Sequence, residues 1–184
     1  MSEYAQIIQP PFGQGPNLMP GLSQVLYFAS VSDFETFPTP PASPTTPAEK
    51  YTIKTPPTFK VGKCFHEMYV GIEQGQLSYE ALGNRDATGF HAVGTGFIPG
   101  DSDALNYFAN EAQGDRFIAL IPRADGKLAL VGTKDFPATI RALHNSNTVT
   151  GDSSGYAVNI SAYTPFKYLY QAAVQLDPEP EPEP

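Results

Sequence analysis

The chain has 184 residues, with 11 Lys and Arg against 19 Asp and Glu, a formal net charge of -8 and one cysteine. This length favours a single domain with its own core. One cysteine excludes an intrachain disulfide framework and a Cys-cluster metal site, and the acidic balance argues against tight binding to nucleic-acid phosphates. The chain has no run of about 18 apolar residues, so we expect no membrane-spanning segment. We expect no signal peptide, because the N-terminus lacks a basic region followed by an apolar one.

The 19 prolines are spread unevenly along the chain. Eleven precede residue 60, and four lie in the last seven residues, where they alternate with glutamate. Residues 1–21 show no hydrophobic period and predict an extended N-terminal arm. Residues 177–184 are low in complexity and predict a disordered acidic tail. The body between them, residues 22–176, has ordinary composition.

The first part of this body predicts a strand followed by a long loop. Residues 24–31 are rich in β-formers. Residues 34–58 contain a proline cluster that cannot enter the middle of a sheet, so they predict a long, polyproline-like loop. Loops of this length inside a compact domain are uncommon and usually functional, although a plain disordered linker is the alternative interpretation.

From residue 51 onward, strands and turns dominate. We expect strands at 51–54, 64–72, 76–82, 90–98, 116–122, 127–131, 136–143, 156–163 and 166–174. Gly94 and Gly96 predict a bend or bulge in their strand. The Asp125-Gly126 turn predicts a hairpin, because it supplies the positive φ that a tight connection requires.

One helix interrupts the strands. Asp101 or Ser102 can cap its start, apolar residues recur at helical spacing, and Gly114 ends it, which predicts a helix at about 102–112. A single helix among many strands favours a mainly β fold: a β-sandwich or half-open barrel with the helix over one opening or face.

The most suggestive chemical motif is Gly151-Asp152-Ser153-Ser154-Gly155, one residue away from the segment around the nucleophile of trypsin-like proteases. Ser153 would then be the nucleophile, with His66, His91 or His144 as the base. A turn between two strands explains the same residues more simply. The histidines lack metal-ligand spacing, and Cys64 in an apolar strand predicts a buried small hydrophobe. We therefore expect no catalytic, cofactor or metal site.

The order of segments resembles the major tail tube proteins of tailed bacteriophages, particularly the divergent group from phages of Bacteroidetes-type hosts. The likeness spans roughly residues 22–174, and its specificity lies in the order of the segments. Its blocks are Val25–Asp33, Phe59–Glu67, Glu73–Glu80, Gly83–Asp86, Phe97–Gly100, the helix, Asp115–Pro122, Asp125-Gly126, Leu130–Thr133 and Gly155–Ser161.

This resemblance implies a structural virion protein and not an enzyme. Six subunits would form a ring whose inner strands join into one barrel, and rings would stack into a hollow tube that conducts DNA during ejection. Its partners would be further copies and the tape-measure, baseplate and terminator proteins of the tail, assembled in the host cytoplasm.

The resemblance also suggests roles for particular residues. The arm and the long loop would contact other subunits, through Tyr4, Ile7, Ile8, Phe12, Phe37 and Tyr51. An acidic lumen would let DNA pass without binding, and its candidate residues are Glu67, Glu73 and Glu80.

Three alternatives remain open. The first is a tail terminator, neck or baseplate ring protein of the same fold. The second is a serine hydrolase that uses Ser153, and the third is a β-sandwich that binds carbohydrate through surface tyrosines.

Overall fold

The computed structural model describes residues 22, 25–41, 43–71, 75–84, 87–123, 126–146 and 154–177. The predicted arm and nearly all of the acidic tail lie outside these residues. Twelve strands and one α-helix are present in the described part. Their bounds are β1 Val25–Ser30, β2 Phe34–Thr36, β3 Thr52–Ile53, β4 Thr58–Phe59, β5 His66–Tyr69, β6 Gln76–Asn84, β7 Ala87–Pro99, α1 Asp103–Glu111, β8 Phe117–Pro122, β9 Leu128–Val131, β10 Thr139–Asn145, β11 Gly155–Thr164 and β12 Tyr168–Tyr170.

The strands form two main sheets that do not close into a barrel, together with one α-helix, as expected for a β-sandwich. A six-stranded sheet has the order β3-β12-β9-β8-β1-β5, and a four-stranded sheet has the order β10-β11-β7-β6. A small pair, β2-β4, completes the set. The mainly β fold with one helix is therefore confirmed.

Strand β8 is buried on both of its faces. Phe117, Ala119 and Ile121 belong to the core between the two large sheets. Ile118 and Leu120 point to the opposite face and belong to a second core. This explains the uninterrupted apolar run of β8, because a strand covered on both sides needs no polar alternation.

The second core is built by the segment in which we expected a long loop. Within residues 34–58 the chain forms β2, β3, the start of β4 and a 3-10 turn at Pro47–Tyr51. Phe34 and Phe59 face each other with ring centroids 4.6 Å apart, and both pack on Phe65. Apolar anchors therefore hold this proline-rich segment against the six-stranded sheet.

The C-terminal segment crosses the same face of the six-stranded sheet. The predicted strand 166–174 is confined to β12, after which the Gln171 amide donates to the Ile53 carbonyl. Ala172 and Val174 pack on the second core, and the Phe65 amide donates to the Gln175 carbonyl. The chain thus runs across the sheet from β3 toward the start of β5.

Of the bend or bulge expected at Gly94 and Gly96, the bulge is wrong. The β7–β11 pairing continues from Phe90 to Pro99 without a shift in register. A Cβ at Gly96 would lie 2.7 Å from Val70 Cγ1, and one at Gly94 would lie 3.0 Å from Ile121 Cδ1. These glycines are required because the two sheets approach closely there.

Two local predictions are confirmed. The Arg123 amide donates to the Lys127 carbonyl in the β8–β9 hairpin, and Gly126 has a φ of 78°. The Ser102 side chain accepts a hydrogen bond from the Leu105 amide and caps α1. The helix covers one end of the sandwich, where the Phe108 and Phe28 rings lie 5.3 Å apart.

We predict that Gly96→Ala lowers the free energy of unfolding by about 1–3 kcal/mol, because the added methyl group overpacks the contact with Val70. Gly114→Ala is the control, since a Cβ there would meet no atom within 4 Å. Urea denaturation of both variants checks this prediction. Equal stability of the two variants would contradict the close-packing role of Gly96.

Candidate assembly surface

The four-stranded sheet has one covered face and one exposed face. Strand β11 shows the alternation most clearly: Val158 and Ile160 are buried in the core, whereas Ala157 is exposed and Asn159 half-buried. The outer face is defined here as the side of this sheet that carries Asn159. The pairing registers place residues from all four strands on it.

Uncharged polar side chains dominate the outer face. They are contributed by every strand, and they are Gln76, Ser78, Thr95, Thr139, Asn159 and Ser161. Among the described residues of this face, Glu80 is the only carboxylic acid and Arg141 the only lysine or arginine. Its exposed apolar side chains include Leu82, Leu143 and Tyr163.

His91 contacts three neighbouring side chains on this face. The His91 ring stacks on Tyr163 with centroids 4.5 Å apart, and its Nε2 lies 2.9 Å from Ser161 Oγ. Its Nδ1 is 4.0 Å from a carboxylate oxygen of Glu80. The Glu80 side chain is still 70% exposed, so its carboxylate remains accessible for a further partner.

Both edges of the four-stranded sheet are open within the described residues. Strand β6 pairs only with β7, and β10 pairs only with β11. The two edge strands have nine and seven residues and contain neither proline nor lysine. Such long edges lack the usual protection against pairing with another chain.

The two charges of the outer face lie on these opposite edges. Glu80 is on β6, and Arg141 is on β10. All neighbouring strands in the sheet are antiparallel, so β6 and β10 run in opposite directions. An edge-to-edge contact between β6 of one copy and β10 of another would therefore continue the antiparallel pattern. Arg141 is a residue that sequence reasoning missed, since its relation to Glu80 depends on the sheet order.

Of the other predicted lumen residues, Glu67 does not share this face. Glu67 is exposed on β5, in the other sheet, opposite Tyr27. It borders a groove of about 910 Å³ beside α1, with an apolar floor that includes Phe28 and Phe108. Glu67 and Glu80 thus belong to different sheets. Glu73 lies outside the described residues.

The predicted contact residues are placed only in part. Tyr4, Ile7, Ile8 and Phe12 lie outside the described residues. Phe37 is half-buried with its ring 5.3 Å from that of Phe34, and Tyr51 is half-buried against Phe166 at 5.1 Å. Phe37 and Tyr51 therefore pack within their own subunit, and their contact with other subunits stays a prediction.

The described residues show only part of the Ser-His-Asp arrangement that the hydrolase alternative requires. Ser153 lies outside the described residues, but His144 Nε2 is 3.8 Å from Asp101 Oδ2, beyond hydrogen-bond distance. The Tyr156 hydroxyl donates to the other oxygen of this carboxylate at 2.9 Å. Burial, and to a lesser degree this hydrogen bond, raises the pKa of Tyr156. Asp101 thus binds a tyrosine and does not orient His144 as a catalytic base.

Two further candidates, His66 and Cys64, lie in apolar surroundings. His66 packs beside the Phe28 ring, and Cys64 is half-buried just before β5, where burial raises the pKa of its thiol. Cys64 is thus less buried than expected. No group of three or more potential metal ligands occurs among these residues, and none of their helices is long and apolar enough to cross a membrane.

We predict that a fluorophosphonate probe leaves the protein unlabelled, because neither His144 nor His91 has a carboxylate within hydrogen-bond distance to orient it as a base: the separations are 3.8 Å and 4.0 Å. Mass spectrometry of the intact protein after incubation measures the adduct. The Ser153→Ala variant is the control for background labelling. An adduct that the variant loses would contradict the prediction and support the hydrolase alternative.

No protein-family model matches this chain, and neither a curated protein nor a solved structure shows significant similarity to it. The interpretation of function therefore depends on the order of its segments and on the geometry of the outer face and its edges.

Proposed function

We propose that the protein is a self-assembling subunit of a bacteriophage tail tube, in which the four-stranded sheets of six copies join into one barrel around a DNA-conducting lumen. The observation that carries this proposal is the pair of open, antiparallel edges, β6 and β10, with an acidic residue on one and a basic residue on the other. Because the two edges differ, their contact is heterologous and closes into a ring when the rotation allows it.

The charge pair suggests a register for the junction. Across one subunit, Arg141 lies in the row of Asn159, Thr95 and Gln76. Glu80 lies four residues farther along β6, in the row of His91. If Glu80 faces Arg141 of the next copy, each subunit is shifted by four residues over four strands.

The size of this stagger agrees with the strand tilt of closed barrels. Four residues span about 13 Å along a strand and four strands span about 19 Å across the sheet, which gives a tilt of about 35°. Closed barrels have strands tilted by about 35–45°, and an eight-stranded barrel with the same one-residue shift per strand has about 36°. Twenty-four strands with this tilt would enclose a barrel roughly 45 Å across, wider than a DNA double helix.

The outer face suits a passive conduit. Its uncharged polar side chains keep the surface wet, and the single arginine would be neutralised by Glu80 of a neighbour. Few cations are therefore left to bind DNA phosphates, which would add affinity and friction. The sequence predicted an acidic lumen, whereas the described residues of the outer face would give a nearly neutral one.

We predict that Glu80→Arg and Arg141→Glu each weaken assembly, because either change places like charges opposite each other at every junction. The double variant restores opposite charges and should recover assembly. A cross-strand charge pair contributes about 0.2–1 kcal/mol, and six junctions repeat that effect in each ring. Light scattering and negative-stain electron microscopy measure the concentration at which assemblies form.

Lys60→Glu is the control for this experiment, since it makes the same charge change as Arg141→Glu at an exposed loop position. It should assemble like the original chain. Single edge variants that also assemble normally would contradict the proposed junction.

The register makes a second prediction. In a Cys64→Ser background, Ser78→Cys with Leu143→Cys should form disulfides between copies, because the stagger places these positions opposite each other. Ser78→Cys with Thr139→Cys should not, since those positions face each other only without a stagger. Non-reducing gel electrophoresis distinguishes the pairs, and a ladder from the second pair alone would contradict the stagger.

Electron microscopy also separates this proposal from its nearest alternatives. Long hollow tubes support a tail tube subunit. Single closed rings would favour a terminator, neck or baseplate ring protein. A stable monomer that binds glycans saturably would favour the carbohydrate-binding alternative.

A further inference from the structure

The groove beside α1 lies apart from the proposed junction between copies. It has a volume of about 910 Å³ and is formed mainly by β5, by β1 with the turn after it, and by α1. Of its described lining, only Ile98 belongs to the four-stranded sheet. The groove is therefore a feature of one copy and does not include the edge strands β6 and β10.

One wall of the groove is the free edge of β5. Within the described residues, β5 pairs only with β1. All four residues of His66–Tyr69 line the groove, although successive side chains of a strand point to opposite faces of its sheet. The groove therefore runs along the edge of β5, where the backbone groups that face away from β1 can pair with an added strand.

The opposite wall is α1, which directs apolar side chains into the groove. Ala104, Leu105 and Phe108 share one side of the helix, and Leu105 and Phe108 are only half-buried. The Phe28 ring lies 5.3 Å from that of Phe108 and forms part of the floor. From Ala104 to Ala112 the helix rises about 12 Å, which equals the length of about four residues of a strand. The groove thus has the length of a short strand and an apolar surface for its side chains.

The rim of the groove is acidic. Its described lining contains one histidine and no lysine or arginine. Lys63 pairs with Asp33 at 3.2 Å, whereas Glu67 and Glu111 form no ion pair with a described residue. The carboxylates that line the groove are Asp33, Glu67, Glu111 and Asp115.

The sign of this charge does not depend on the undescribed residues. Their side chains include a single lysine or arginine, which is Arg85 between β6 and β7. Ala87, the first residue of β7, is roughly 35 Å along the strand from Ile98 at the groove. Arg85 is thus too far away to neutralise Glu67 and Glu111.

We propose that the groove binds an extended, basic segment of a different protein, which adds a strand to the free edge of β5. Its lysine or arginine side chains pair with Glu67 and Glu111 at the rim, and its apolar side chains pack on Phe28 and Phe108. Backbone pairing gives such a contact affinity, and alternate side chains give it specificity. The inference goes beyond the proposed function, because the groove is formed by one copy and needs no ring.

A second copy does not fit this groove in the proposed head-to-tail ring. The chain has an exposed basic turn at residues 60–63, with Val61 at its tip. The Lys60 amide donates to the Asp33 carbonyl, so this turn lies beside the groove of its own subunit. A heterologous contact joins two different patches on opposite sides of a subunit. A turn and a groove that lie next to each other do not meet in such a contact, so a different protein supplies the segment.

Fluorescence anisotropy with a labelled peptide tests this proposal on the full chain. The probe is a seven-residue peptide in which valine and lysine alternate, with valine at both ends. The control peptide has the same composition with its lysines in one block, so attraction to an acidic protein affects both equally. Only the alternating peptide separates cations and apolar side chains onto the two faces of a strand. We expect it to bind about fivefold more tightly at physiological ionic strength.

Two substitutions on α1 locate the binding site. Ala104→Arg places a long, basic side chain in the groove and should abolish binding of the alternating peptide. Asn106→Arg is the matched control, because it adds the same charge at another exposed position, about 200° away around the helix. It should bind the peptide like the original chain.

The rim carboxylates supply the electrostatic test. Glu67→Gln and Glu111→Gln should each weaken binding about threefold, within the range of a partly exposed ion pair. Glu35→Gln makes the same change at an exposed carboxylate outside the groove and should have no effect.

The outcomes separate this inference from the proposed function. Equal binding of the two peptides, or equal binding by Ala104→Arg and Asn106→Arg, overturns the inference and leaves the tube subunit intact. An alternating peptide that dissolves assemblies would identify a second copy as the occupant and would also overturn it. A protein that binds the peptide through the groove but stays monomeric supports the inference and contradicts the tube subunit.

Discussion

The burial of β8 on both faces is the constraint on which the rest of the structure depends. Its side chains alternate between two cores that lie on opposite sides of the same sheet. The six-stranded sheet must therefore be covered twice, by the four-stranded sheet on one side and by the β2–β4 pair and the C-terminal segment on the other. The proline-rich residues between β1 and β5 are needed to complete this covering. Phe34 and Phe59 anchor them to the six-stranded sheet.

The four-stranded sheet is the layer that this arrangement leaves incomplete. It covers the first core with one face, whereas its outer face and both edge strands have no partner in the described chain. Unpaired edges of this length are prone to non-specific association with other chains. The proposed heterologous contact between the two edges would resolve this within one kind of subunit, because it would use the backbone groups of both edges and pair Glu80 with Arg141.

Sequence patterns predicted the features whose causes are local. The Asp-Gly turn and the cap at Ser102 depend on a few adjacent residues, and both are where the sequence indicates. The role of Gly96 depends on Val70, which follows β5 and is distant in sequence, so the local pattern predicts only a bend or bulge there. The positions of Glu80 and Arg141 on opposite edges of one sheet follow from strand order, which periodicity does not encode.

The placement of charge connects composition to assembly. Four of the 19 acidic residues fall in the last eight positions, whereas the described outer face carries one carboxylic acid, one arginine and one histidine. The net charge of -8 therefore says little about the surface that would face DNA. A junction that paired Glu80 with Arg141 would leave no unpaired lysine or arginine on the described outer face, so the same two charges would serve both self-assembly and a lumen that does not retain DNA.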